Sequence, residues 1–162
     1  QLQHADFPAT LQRCLTESPL PAGRLLLEIL ESSMLQDLEQ AAQVIQRCNA
    51  LGVDFALDDF GTGWSSLRYL KDLPLAELKI DRSFVQDMLT DPGDRAIVEG
   101  IVGLSRAFGI DVIAEGVERA AQAEALLALG CRRAQGWGIA RAMPAAALPG
   151  WIANWDGRIR AD

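Results

Sequence analysis

LEQAAQVIQRCNALGVDFALDDFGTG, residues 38–63, decides the fold. Its first half reads as an amphipathic helix over 38–51. Gly52 follows where a left-handed cap would end that helix. VDFALDDF then reads as a short apolar strand, the pattern expected when both faces of a sheet are covered. The same order recurs twice further along. Residues 94–108 carry Ile97, Ile101, Leu104 and Phe108 at helical spacing, with Asp94 as the candidate N-cap. Gly109 and IDVIAEGV come next. Residues 120–129 form the third helix, followed by Gly130 and CRRAQGW. Two more strands are expected at 24–30 (RLLLEIL) and 77–81 (ELKID). A short helix over 65–73 should stop before Pro74, and a last helix is expected over about 145–155.

Strands alternating with helices predict an α/β fold, a parallel sheet with its helices outside. A doubly wound open sheet is the alternative, but no GxGxxG follows a strand, so its dinucleotide-binding version has little support. Glu28, Asp58, Asp59, Asp81, Glu115 and Gln135 all fall at or near the C-terminal ends of the expected strands. In β/α barrels that face carries the active site. The chain has 162 residues, whereas an eight-stranded barrel typically needs ~250. The expectation is therefore a partial (β/α) TIM-like barrel of about five parallel strands. No linker or low-complexity tract divides it, which predicts one domain over residues 1–162.

The formal net charge is −7. An acidic chain binds polyanions poorly, which argues against a DNA or RNA polymer as partner. A phosphate ligand would need local positive charge, and bound metal ions are the usual source. His4 is the one histidine, and the three cysteines, Cys14, Cys48 and Cys131, form no CxxC pair. Zinc sites and disulfide frameworks are disfavoured, and a reduced, cytoplasmic setting is expected. A metal here would be held by carboxylates, which favours magnesium, manganese or calcium. No apolar run approaches the ~18 residues of a membrane span. A membrane-anchored parent protein stays compatible with that.

DDFGTG, residues 58–63, is the strongest local signal. Two adjacent carboxylates end a strand before a glycine loop, and a divalent cation would remove the cost of placing them together. A plain turn is the competing reading. Glu28 closes a strand of leucines, and Glu31 opens the segment after it; a solvated pair of glutamates is the simpler account of them. Lys79 and Asp81 are two apart on one expected strand and would face the same side, as a structural ion pair or as working groups. Glu115 and Glu118 repeat the pattern of an acid, a glycine and a second acid. Gln135 offers an amide at a strand end, beside Trp137.

FALDDFGTGWSSLRYLKDLPLAELKIDRSFV, residues 55–85, closely resembles the central signature of EAL-domain proteins. IDVIAEGVE and GCRRAQGWGIARAMP follow in that family's order and spacing, so the similarity runs from about residue 11 to 155. The resemblance implies a β/α barrel that linearises cyclic di-GMP to 5'-pGpG with two divalent cations, Mg2+ or Mn2+, and that Ca2+ inhibits. Carried over by motif, Glu28 and Asp58 would bind the first metal, with Asp58 bridging to the second, and Asp59 and Glu115 would complete that second one. Lys79 would hold the attacking water and Asp81 would position it. Glu118 and Gln135 would line the site, and Glu31 would anchor the DDFGTG loop. Cyclic di-GMP, a homodimer and an upstream sensory or GGDEF domain are the implied partners.

Several positions depart from the family pattern. The metal-binding Glu-Ala-Leu and the asparagine of the next strand are absent; Glu124-Ala125-Leu126 has the letters but falls in a late helix. Leu30 and Trp64 replace a usual threonine and tyrosine. The expectation is a domain lacking the N-terminal strands of the EAL barrel, with poor hydrolysis by this chain alone. The alternative function is a non-catalytic cyclic di-GMP-binding or regulatory interaction domain.

Overall fold

In the computed structural model, residues 4, 6–30, 38–62, 67–157 and 159 are described. Helices and strands alternate: α1 (Phe7–Glu17), β1 (Leu25–Leu30), α2 (Leu38–Asn49), β2 (Val53–Phe60), α3 (Leu67–Asp72), β3 (Glu77–Ile80), α4 (Arg82–Asp87), α5 (Pro92–Phe108), β4 (Asp111–Ala114), α6 (Ala120–Leu129), β5 (Arg133–Ala134) and α7 (Leu148–Asn154). The strands form one parallel five-stranded sheet in sequence order, β1-β2-β3-β4-β5. The fold is the expected α/β, consistent with a partial TIM-like barrel.

The chain divides into two compact units: Gln1–Lys79 with Leu104–Asp111, and Ile80–Gly103 with Val112–Asp162. In the first, β1 and β2 pair in register, Leu25 opposite Val53 and Leu30 opposite Asp58. Ala76 N–H donates to the Phe55 carbonyl at 2.9 Å, tying β3's approach to β2. Phe55, Ala56, Leu57 and Leu78 are buried on these strands, with Ile45 and Cys48 of α2 buried as well. β1 differs from this pattern. Its residues alternate, and Leu26, Glu28 and Leu30 are exposed while Ile29 is buried. An apolar run therefore did not mean burial on both faces.

In the second unit, β4 pairs with β5, Ala114 opposite Ala134. Ile80, Val85, Val98, Val102, Ala114, Val117 and Leu126 are buried there. Gly52, Gly109 and Gly130 take left-handed φ values of 82°, 68° and 92° where the three helices end, as their placement predicts.

Other expectations need correction. α5 begins at Pro92, and its cap is Asp91, not Asp94: Asp91 Oδ1 accepts from Gly93 N–H at 2.6 Å and Asp94 N–H at 3.4 Å. Proline suits a first helical position, so the helix starts two residues early. β3 stops at Ile80 because Asp81 turns the chain into α4. The last helix is broken into a 3-10 turn at Ala145–Ala147 and α7, which ends before Trp155. Residues 31–37 and 63–66 lie outside the described residues, so the expectations for Glu31 and Trp64 are untouched. Among the described residues, no helix is long and apolar enough to cross a membrane.

Candidate active site

In the first unit, β1, β2 and β3 bring together Glu28, Asp58 and Lys79. Lys79 Nζ lies 2.7 Å from Glu28 Oε1 and 2.9 Å from Asp58 Oδ1. The lysine side chain is 5% exposed, Asp58 19% and Glu28 51%. Desolvating an ammonium costs several kcal/mol unless close counter-charges offset it. Here two carboxylates supply that offset, and one of them keeps its water. The sequence explains the convergence: the three residues sit at or near the ends of neighbouring strands, and the parallel sheet aligns those ends.

Asp59 is the next residue after Asp58, so a regular strand would send its side chain to the opposite face. Its φ is 55°, in the left-handed region that the other described non-glycine residues avoid. Aspartate tolerates that conformation better than most residues, at a cost of ~1 kcal/mol. The strict alternation of the strand is thereby broken where the two carboxylates stand. The Asp59 carbonyl accepts from the Thr62 hydroxyl at 2.9 Å and from Thr62 N–H at 3.3 Å, which closes the turn behind it. Neither spacing nor residue type signals this backbone.

The second unit holds Asp81, Glu115, Glu118 and Gln135. Asp81 caps α4: its Oδ1 accepts from Ser83 N–H at 2.9 Å and from the Ser83 hydroxyl. Glu115 follows β4 directly, and its N–H donates to the Ile80 carbonyl at 3.1 Å. Gln135 follows β5, and its Nε2 donates to Glu115 Oε1 at 2.6 Å. Backbone bonds tie the two loops together: Gln135 N–H to the Ala114 carbonyl at 2.9 Å, and Val117 N–H to the Gln135 carbonyl at 3.0 Å. Gly136 is needed for this approach, since a Cβ there would stand 2.2 Å from the Val117 carbonyl oxygen. Glu118 is exposed. Arg82, Gln86, Glu115, Glu118, Gln135 and Trp137 line a cleft of about 570 Å3.

The sequence reading missed Arg82 and Gln86 in this cleft and took Trp137 only as a tryptophan packed at the strand end beside Gln135. Arg82 is a cation that shares this cleft with two glutamates, and it follows the KID stretch directly; that adjacency in sequence was the available signal. Trp137 is 64% exposed, and the Arg141 guanidinium lies 4.4 Å from its ring centre.

The donor set suits hard divalent cations: carboxylate oxygens, no thiolate and no imidazole. Glu28 and Asp58 already converge on one positive group, the Lys79 ammonium, at distances of 2.7 and 2.9 Å. Residues present thus fit the requirement for oxygen ligands around a cation.

Known proteins resemble this chain in sequence and fold. The family profile of the EAL domain matches residues 1–142. The chain is 43% identical over 148 residues to the bifunctional diguanylate cyclase/cyclic di-GMP phosphodiesterase MucR of Pseudomonas aeruginosa. That match covers 91% of this chain and 22% of MucR, so the chain spans about a fifth of that relative's length. The solved PaMucR phosphodiesterase in complex with c-di-GMP matches with a TM-score of 0.86 and 42% identity, over 91% of this chain and 60% of that one. The EAL domain of Mycobacterium smegmatis DcpA matches with a TM-score of 0.89 and 40% identity, over 99% of this chain and 71% of that one. The chain belongs to the EAL domain family and is homologous to the cyclic di-GMP phosphodiesterase MucR.

Proposed function

We propose that this chain is the catalytic part of a cyclic di-GMP phosphodiesterase that opens its substrate to 5'-pGpG. The observation that carries the reading is the buried Lys79 held between Glu28 and Asp58 at the strand ends. Replacing a buried ion-pair cluster as a whole by packed apolar residues is often neutral or stabilising, so stability alone is a weak reason for keeping this one. A lysine with work to do has reason to stay.

Two divalent cations, magnesium or manganese, would supply an activated water and charge to offset the phosphodiester. Glu28 and Asp58 would hold the first, with Asp58 shared; Asp59 and Glu115 would hold the second. Lys79 carries three N–H donors on a flexible stem. It would orient the attacking water by donating to its oxygen, and Asp81 would fix the direction of approach. Glu118 and Gln135 would line the substrate's side of the site, with Gln135 keeping Glu115 in place. Glu31 is proposed to anchor the loop after β2. A homodimer and an upstream GGDEF or sensory domain belong to the same proposal.

Membership of the EAL family and the c-di-GMP complex of PaMucR support the ligand. Titration of the chain with cyclic di-GMP in Mg2+ or Mn2+ tests binding. Mass analysis of the product formed by a protein carrying the whole domain tests the reaction. Linear pGpG, lost in Asp58→Ala, is expected. Binding without any linear product would replace the reading with that of a non-catalytic receptor.

A further inference from the structure

Gln122 stands in the first turn of α6 and is 1% exposed. All four of its hydrogen-bonding positions are used. Oε1 accepts from Glu118 N–H at 3.0 Å and Arg119 N–H at 2.9 Å. Nε2 donates to the Val85 carbonyl at 3.0 Å and the Gln86 carbonyl at 3.3 Å. The acceptor half is ordinary helix capping, in which a residue of the first turn reaches back to the cap N–H. The donor half is not. It reaches 36 and 37 residues back along the chain to the end of α4. Arg119 adds a parallel link, its guanidinium donating to the Gln86 carbonyl at 2.8 Å.

These two ends are opposite contributors to one cleft. α4 supplies Arg82 and Gln86, and the loop after β4 supplies Glu115 and Glu118. We infer that Gln122 is a positioning residue that sets the spacing between the α4 wall and the loop carrying Glu115 and Glu118. Its role as a spacer for the ligand rests on the phosphodiesterase reading; its role as a clamp does not. The chemistry requires an amide. A hydrocarbon of the same size removes the partner of two N–H groups and of the buried Val85 carbonyl, and leaves the Gln86 carbonyl to the Arg119 guanidinium. A carboxylate can accept from Glu118 and Arg119 but has nothing to donate to Val85 and Gln86. A neutral carboxylic acid recovers one donor.

The experiment compares Gln122→Met and Gln122→Glu with the unaltered chain. Hydrogen exchange is read at the Glu118 and Arg119 amides, and cyclic di-GMP affinity is read across pH as a ratio to the unaltered chain. In Gln122→Met, those two amides should exchange at least about tenfold faster, with slow exchange kept in the interior of α6. In Gln122→Glu, the amides should stay slow, because the acceptor remains. Its affinity ratio should be lowest at neutral pH and recover as the new carboxyl takes up a proton. A residue that only stabilises the helix would produce no such recovery. Unchanged exchange in Gln122→Met, or a flat affinity ratio in Gln122→Glu, would overturn the inference. If Gln122→Met does not fold, Gln122→Glu decides alone. An unaltered chain that binds no cyclic di-GMP would refute the functional reading, and the exchange rates would then decide the clamp.

Discussion

Glu28 and Asp58 of the first unit are held by charge, whereas the loop that carries Glu115 and Glu118 in the second is held by backbone bonds. Glu28 and Asp58 converge on the Lys79 ammonium. Asp58 Oδ1 also accepts from the adjacent Asp59 N–H at 3.1 Å, a bond that draws in no other element. Glu115 and Glu118 instead belong to a loop whose N–H groups are bonded to Ile80, Gln135 and Gln122. A charge-held group can exchange its partner for another cation without moving the chain. A backbone-held group keeps its place whatever the occupant.

Replacing Lys79 attacks the first arrangement and should give the largest effect. In a protein carrying the whole domain, Lys79→Met should lower turnover by ~10²–10⁴, the usual worth of a group acting on the attacking water. Cyclic di-GMP binding should persist. Breaking a fully buried ion pair costs ~3–5 kcal/mol, but Glu28 is half exposed, so the loss of stability should be smaller. The two freed carboxylates should also make Mg2+ raise the melting temperature more in the variant than in the unaltered protein. Unaltered turnover would remove the lysine from the mechanism.

Gly136→Ala attacks the second arrangement. The new Cβ meets the Val117 main chain on three atoms within 2.7 Å, and no rotamer can relieve that. The two loops must part, at a cost of ~1–3 kcal/mol or more. Urea unfolding should register this, and the Gln135–Glu115 hydrogen bond should loosen with it. A variant as stable as the parent would mean that the loops do not need their close approach.

The two regions also differ in how much of them the sequence discloses. The strand-end positions of Asp58, Asp59 and Glu115 were legible because they follow apolar runs, and Glu28 lies inside such a run, two residues before β1 ends. The helix–glycine–strand order was legible because amphipathic spacing and a left-handed cap are both local. What escaped depends on partners distant in the chain or on unusual backbone. Asp81 read as the last residue of a strand, since nothing in ELKID says that its carboxylate would cap α4. The six residues of α4 are too few to display a period. Gln122 is a single polar letter in AAQAEALLAL, and its partners on α4 lie 36 and 37 residues away. The φ of Asp59 leaves no trace in composition.

Asp81 belongs to both arrangements, as a cap and as a proposed water-positioning group, and two substitutions separate these. Asp81→Ala should lose the bond from Ser83 N–H and cost ~0.5–2 kcal/mol of stability. Asp81→Ser restores a capping oxygen and should recover most of that stability. If the carboxylate also positions water, turnover should stay low in Asp81→Ser. Turnover that returns with stability would leave Asp81 a cap and nothing more.

The smallest expected effect lies away from the cleft, at the start of α5, and it tests whether charge can also work against the second unit. Asp94 is pushed above the ordinary carboxylate range by partial desolvation and by the neighbouring Asp91 and Asp87 carboxylates. A raised value means that the folded protein holds this proton more tightly than the unfolded chain does. The stabilising contribution is therefore fully present below the unfolded value and is lost as pH rises through the folded one. At neutral pH the Asp94 charge should oppose folding slightly. Asp94→Asn removes that charge but leaves the cap, because Asp91 Oδ1 still accepts from Gly93 N–H. The variant should match the parent in acid and melt slightly higher near neutrality. Added salt should shrink the gap, since the repulsion is between groups in contact with water. The helix dipole favours a negative charge in the first turn and pulls the other way. A gap of the same size at every pH would mean that the dipole and the packing of the side chain, not repulsion from Asp91 and Asp87, govern this position.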